Sequence, residues 1–354
     1  MAYKLPDLAA FEYKIEQKNT HLVVLKNRSG MQVAFTDYGA RIVSILVPDK
    51  FGDLRDVVLG FNSIQEYINA DEQYHGATIG RYANRIANGE FSIGGQNYIL
   101  EQNNGSNCLH GGPTGFHTKV WDRQVSFTNK IDFYYVSEDG EEGFPGNLKV
   151  CVSYELTEDN EIMISYKAET DEETVINLTN HAYFNLDGEG HSDILQHWVT
   201  IPSDHFIPID ENQIPEGIEA PVDDTAFDFR TPKQVFADID RQEKQLVHGS
   251  GYDHSFVNTQ PFSLPAASAH ASSSGIKLDV FTTEPAVQFY TGNFLTGNDT
   301  GKSGGTYFSR SAFCFETQHY PDSPNQPSFP STRLAAGEVF ESKTIYRFSI
   351  QKGS

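Results

Sequence analysis

Turn signals recur every few residues along this chain, and almost nothing between them has the apolar period of a helix. Residues 21–48 contain two or three short runs rich in β-formers, split at Ser29-Gly30 and at Gly39. Residues 89–100 repeat the pattern, with Gly94-Gly95 offering the positive φ of a two-residue turn between alternating strands. The same grammar continues through residues 121–127, 132–136, 148–156, 161–169 and 174–180. Only residues 63–70, 231–235 and 238–242 suggest a helical turn or two, each with an Asp, Ser or Thr suited to cap it. Many short strands at hairpin spacing predict an all-β chain built as a large antiparallel β-sandwich. A chain of 354 residues is long enough for one extended all-β domain or two ordinary ones. No composition shift or internal repeat divides it, so the expectation is one domain over residues 1–354. Residues 261–275, rich in Ala and Ser, read as a mobile and dispensable surface excursion, and residues 301–305 read similarly.

Charge narrows the function. With 48 acidic against 26 basic residues and a formal charge of −22, the chain repels nucleic acid and anionic membrane. No apolar run approaches the roughly 20 residues that span a bilayer, and the N-terminus has no signal-like apolar stretch. Cys108, Cys151 and Cys314 are too few and too scattered for a disulfide framework or a Cys-based metal site, so a cytoplasmic setting is expected. The 12 histidines include no pair at metal-ligand spacing, and no metal is expected.

Polar residues stand among apolar ones in five stretches. Residues 313–330 begin as an apolar strand and turn into a loop punctuated by Pro321, Pro324, Pro327 and Pro330, with Glu316 placed at the strand's end. A carboxylate there suits a general base, and equally a carboxylate hydrogen-bonded to loop amides. Asn84 and Arg85 precede the Ile86 hairpin, and His110 is followed by two glycines that permit close approach. Alternation puts His181 and Tyr183 on the face of a strand that also carries Asn177 and Thr179. Asp253 sits in Gly-Tyr-Asp-His. Each has a structural alternative: a surface ion pair for Arg85, a turn cap for His110, a core network for His181, an Asx-turn for Asp253.

Taken together the stretches resemble the aldose 1-epimerases, also called galactose mutarotases. The resemblance rests on Asn-Arg-Ile-Ala-Asn-Gly at 84–89, Leu-His-Gly-Gly at 109–112, Asp-Gly-Glu-Glu-Gly-Phe-Pro-Gly at 139–146 and Thr-Asn-His-Ala-Tyr-Phe-Asn-Leu at 179–186. Gly-Tyr-Asp-His at 251–254, Gln-Phe-Tyr-Thr-Gly-Asn at 288–293 and Phe-Glu-Thr-Gln-His-Tyr-Pro-Asp-Ser-Pro-Asn at 315–325 complete it. It implies a large antiparallel β-sandwich and a cofactor-free isomerase acting on a free aldohexose such as galactose or glucose. It further implies Glu316 as general base and His181 as general acid, with Asn84, Arg85, His110, Tyr183, Asp253 and Gln288 contacting the sugar. Monomer and homodimer are both left open.

Anomer exchange needs a proton taken from the C1 hydroxyl and one given to the ring oxygen, and two such groups suffice. His suits the acid because its ordinary pKa lies near working pH, and Glu suits the base if desolvation raises its own. Phe289 or Tyr183 is expected to stack on the sugar's C–H face. A hexose-6-phosphate 1-epimerase is the nearest alternative, with Arg81 and Arg85 as phosphate contacts. A non-catalytic sugar-binding protein is the other; it has no use for Glu316 and His181 together.

Overall fold

The computed structural model describes residues 3–191 and 193–351. Its largest sheet has nine strands, all paired antiparallel. At its centre lie Leu148–Leu156, Glu161–Thr170 and Val339–Ile350. Alternation sends Val150, Val152, Tyr154, Ile162, Ile164 and Tyr166 inward, where each is at most 3% exposed. The sheet is therefore amphipathic, and it needs a second apolar layer.

A five-stranded sheet supplies part of that layer, with Asp253–Val257, Ala286–Tyr290 and Cys314–Gln318 as its three longer strands. These three are buried on both faces. Phe256, Phe289 and Phe315 point into the core shared with the nine-stranded sheet. Burying a side chain of that size is worth about 1.5–3 kcal/mol. The other face is polar, and register decides what meets there. Ser255 lies opposite Gln288, which lies opposite Glu316; Asp253 lies opposite Tyr290, which lies opposite Cys314. A four-stranded sheet from Leu22–Lys26 through Leu54–Asp56 adds Val33, Phe35, Ile45 and Val47 to the same core.

Among the described residues there are two α-helices, Ile64–Asn69 and Lys244–His248. The first falls where expected, with the Ser63 side chain accepting from the Glu66 amide at its N-terminus. Residues 238–240 form only a turn ahead of the second helix. In the 231–235 stretch a single 3-10 turn, Val235–Ala237, forms late, because Lys233–Gln234 is an edge strand on Trp198–Thr200. Local capping residues lost there to the hydrogen bonds of an available sheet edge.

Three further expectations are corrected. Residues 261–275 are not an excursion, because Ala267–His270 is an interior strand of the nine-stranded sheet. Residues 301–305 close the hairpin of Thr296–Thr300 with Thr306–Phe308, pinned by the Gly301 amide on the Gly305 carbonyl at 2.7 Å. Glu316 sits at the middle of Cys314–Gln318 rather than its end.

Candidate active site

The polar face of the five-stranded sheet carries Glu316, Asp253 and Tyr290 into a cavity of about 230 Å³. Gln288 is on the same face but beneath it. Its amide donates to Asp253 Oδ1 at 2.7 Å and accepts from Ser255 Oγ at 2.5 Å, so the glutamine orients Asp253 instead of lining the cavity. Phe289 points the opposite way, into the core against Tyr252 and Phe315, and cannot stack on a ligand here.

His181 and Tyr183 enter from a second segment. The short strand Thr179–Asn180 pairs with Thr78–Ile79, and the His181 backbone continues that pairing to Ala77 and Gly76 at 2.9 Å each. Asn177 does not share their exposure to the cavity as alternation suggests. Its side chain is spent on the Ala83 carbonyl and the His319 amide, because the strand breaks at an isolated bridge between Tyr82 and Asn177. Thr179 is likewise buried outside the cavity lining.

Asn84, Arg85 and His110 sit at the ends of two short strands, Arg85–Ile86 and Cys108–Leu109, paired antiparallel with Arg85 opposite Leu109. The His110 amide donates to the Asn84 carbonyl at 3.0 Å, and the Asn84 amide donates back to His110 Nδ1 at 3.1 Å. Asn84 and His110 both adopt left-handed backbone, with φ of 65° and 54°. The glycine after His110 is required: a Cβ on Gly111 would stand 2.1 Å from the Gly80 carbonyl oxygen. Asp322, in the proline-punctuated loop, donates its amide to the Arg85 carbonyl at 2.8 Å and accepts from the Ala87 amide at 2.9 Å. That loop therefore braces the arginine segment.

Glu316 and His181 lie side by side, with Oε1 and Nε2 3.6 Å apart and both side chains at most 4% exposed. Glu316 Oε2 is buried with no hydrogen-bond partner among the described residues. Burial pushes the Glu316 carboxyl well above its ordinary range, and the nearby Asp253 charge adds to this. Burial pushes His181 down to about 3. Both shifts favour the neutral forms, with the carboxyl rather than the imidazole holding the proton. Little solvent reaches the ring to hold a lone charge on it. Burial likewise raises Asp253 and lowers His110.

His110, His181 and Glu316 place one possible ligand atom each within 4.8 Å of one another, a grouping that sequence spacing does not reveal. The donor chemistry argues against a cation. Because the Asn84 amide donates into His110 Nδ1, the neutral ring keeps its proton on Nε2 and presents an N–H to the cavity, not a lone pair. Protein treated with chelator should therefore turn over at its full rate, measured against an untreated sample. Loss restored by one added divalent ion would overturn this reading of His110.

The cavity also holds residues that the sequence reading did not single out: Glu72, Tyr74, Asn104, Gln213, Tyr290 and Phe294. Tyr290 was recoverable, because it alternates with Gln288 in the 288–293 motif. Glu72 and Tyr74 come from a connection with no regular period, and nothing local marks them. Tyr74 packs its ring against His110 and His181, with centroids 4.6 and 5.8 Å away. Glu72 accepts from the Tyr74 amide at 2.9 Å, and burial pushes its carboxyl up to about 7. The expected second cation is missing. Arg81 turns away and donates to Pro145 O, Ser137 Oγ and Glu138 O, pinning residues 137–146.

Comparison with known proteins gives one consistent result. A sequence model of the family described as aldose 1-epimerase matches residues 21–347. The chain is 45% identical over 322 residues to the galactose mutarotase of Mus musculus, covering 90% of this chain and 92% of that one. It is 40% identical over 337 residues to the aldose 1-epimerase of Escherichia coli, covering 92% and 94%. A solved structure of an aldose epimerase homologue from C. elegans superposes with a TM-score of 0.87 at 31% identity, covering 94% of this chain and all of that one.

Proposed function

This chain belongs to the aldose 1-epimerase family, and we propose from that premise that it interconverts the α and β anomers of free hexoses such as galactose and glucose. The observation that carries the reading is the buried Glu316–His181 pair, a carboxyl and an imidazole 3.6 Å apart on the wall of a cavity of about 230 Å³. In the proposed sequence a bound C1 hydroxyl donates toward Glu316, whose Oε2 has no hydrogen-bond partner among the described residues. The hydroxyl and the Arg85 guanidinium favour the carboxylate, so the pair's proton moves to His181. Glu316 then takes the O1 proton while the His181 imidazolium protonates the ring oxygen; the C1–O5 bond breaks and an aldehyde forms. Rotation about C1–C2 presents the other carbonyl face. The steps reverse, and the pair returns with its original single proton.

Asn84, Arg85, His110, Tyr183 and Asp253 act in this reading as hydroxyl partners that fix the sugar's pose, and Gln288 acts through Asp253. Tyr74, Tyr183, Tyr290 and Phe294 offer the aromatic surface. Polarimetry of freshly dissolved α-D-galactose and α-D-glucose tests the activity directly, with spontaneous mutarotation as the baseline. A rate no faster than that baseline for both sugars would refute it.

The phosphorylated alternative loses support at Arg81, which leaves Arg85 as the cavity's cation beside Glu72, Asp253 and Glu316. A phosphate dianion entering there finds one guanidinium to balance two negative charges, among acidic side chains that supply no positive charge. kcat/KM for galactose should exceed that for galactose 6-phosphate by about 100-fold or more, on the scale of a buried charge left unpaired. A ratio below one would reverse the substrate assignment.

A further inference from the structure

Gln213 stands between two opposite charges. Its Oε1 accepts from Arg85 Nη2 at 2.6 Å and its Nε2 donates to Asp253 Oδ2 at 2.9 Å. Arg85 also donates through Nε to Asn104 Oδ1 at 2.9 Å, and Asp253 Oδ1 is held by Gln288. Among the described residues Arg85 and Asp253 make no ion pair with each other, although both line the same cavity. A single side-chain amide thus keeps a guanidinium and a carboxylate from joining, while matching each with the correct half of its own dipole.

The loop that carries this residue is built to aim it. Gln213 has a φ of 62°, a left-handed backbone uncommon for any residue that carries a Cβ. Asp210 Oδ1 accepts from the amides of Asn212 and Ile214 at 2.8 and 3.0 Å, and the Gln213 amide donates to the Asp210 carbonyl at 3.0 Å. The turn is anchored below by Gln245, whose side chain accepts from the Ile209 amide and donates to the Ile209 carbonyl. Glycine would adopt the same φ without strain. The residue present gives up that ease and reaches the two charges.

We propose that Gln213 is a positioning residue, a spacer that holds Arg85 and Asp253 apart so that each meets sugar hydroxyls unpaired. The inference rests on the assignment of those two residues to the sugar. Without the spacer the guanidinium and carboxylate, both largely withdrawn from water, attract each other strongly. Hydroxyls must then displace an ion pair before they bind. The cost falls on binding and not on proton transfer, because Gln213 touches neither Glu316 nor His181.

Gln213→Gly is the informative variant, since it removes the amide and relieves the backbone, so failure to fold is not the expected result. KM for galactose should rise about tenfold, one charge-assisted contact's worth, with kcat within about threefold of wild type. In an Arg85→Ala background the same substitution should change KM less than about twofold, because the pair it separates no longer exists. Gln213→Glu should raise KM further by bonding to Arg85 and repelling Asp253. An unchanged KM in Gln213→Gly, or the same tenfold rise with and without Arg85, would overturn the spacer role. If Arg85→Ala alone leaves KM unchanged, the assignment of Arg85 to the sugar fails as well, which separates the two readings.

Discussion

Glu316→Gln and His181→Asn should each lower kcat by on the order of 10²- to 10⁴-fold, the usual worth of a positioned acid or base. Both variants should stay folded. Gln is the neutral isostere of the carboxyl form that burial already favours, and Asn removes a ring that burial already keeps uncharged. Since the two groups lie 3.6 Å apart and serve one proposed transition state, they should act as a unit. The double variant should therefore be far less than multiplicatively slower than either single one. Single-turnover polarimetry, corrected for spontaneous mutarotation, measures all three. A Glu316→Gln protein within a few-fold of wild type would place the base elsewhere.

The same pair sets the expected pH dependence. The reaction needs one proton on the pair, on either member. As pH falls toward about 3 a second proton reaches His181 and activity declines. As pH rises through the raised Glu316 value the only proton leaves and activity declines again. The profile is a plateau with two limbs, and the apparent pKa values belong to the pair. Stability carries a matching sign. A carboxyl whose folded pKa is raised is protonated in the fold but ionised in the unfolded chain, so above its ordinary pKa it destabilises the fold. Glu316→Gln removes that penalty, and its melting temperature near pH 7 should match or exceed wild type. A lower melting temperature would mean that the carboxylate, not the carboxyl, is the resting form.

Much of this was legible because sheets have a period of two. Alternation and turn signals give the antiparallel sandwich, and the apolar-to-polar switch within residues 313–330 points to Glu316. What sequence does not carry is register. Nothing local says that Glu316 will lie opposite Gln288 and Gln288 opposite Ser255, and that pairing alone puts Gln288 under Asp253 instead of beside a ligand. Desolvation is equally nonlocal. His181 reads as an ordinary titrating imidazole until Tyr74, His110, Tyr290 and Glu316 close around it from distant parts of the chain. Glu72 and Gln213 reach the cavity from irregular connections, where no period exists to read. Arg81 and Arg85 are the plainest case: four residues apart, Arg85 faces the cavity and Arg81 is consumed by five backbone and side-chain acceptors beyond it.

Removal of residues 266–274 should leave no folded protein, the reverse of what their composition suggests. The run of Ala and Ser hides a period-two strand whose inward residues are the smallest available. Ala267, Ala269 and Ala271 are each at most 1% exposed and join the main core. The strand Ala267–His270 bonds on one side to Ile276–Thr282, with Ala267 opposite Val280, and on the other to Trp198–Thr200, with Val199 opposite Ala269. Beyond it the Ser274 amide donates to Asp187 Oδ1 and the Ser274 carbonyl accepts from the Lys50 amide. Deletion strips two neighbouring strands of their partners inside the molecule, and unmade buried backbone hydrogen bonds cost about 1–3 kcal/mol apiece. A handful of them exceeds the roughly 5–15 kcal/mol that separates folded from unfolded chains. A point change sharpens the test: Ala269→Asp buries a carboxyl with no partner and should lower stability by several kcal/mol, on the order expected for an unpaired polar group. Substitutions at Leu264, half exposed just before the strand, should shift the melting temperature little. Thermal melts by circular dichroism compare the three proteins. A deletion variant that melts cooperatively within a few degrees of wild type would show that this strand is not needed to close the sheet.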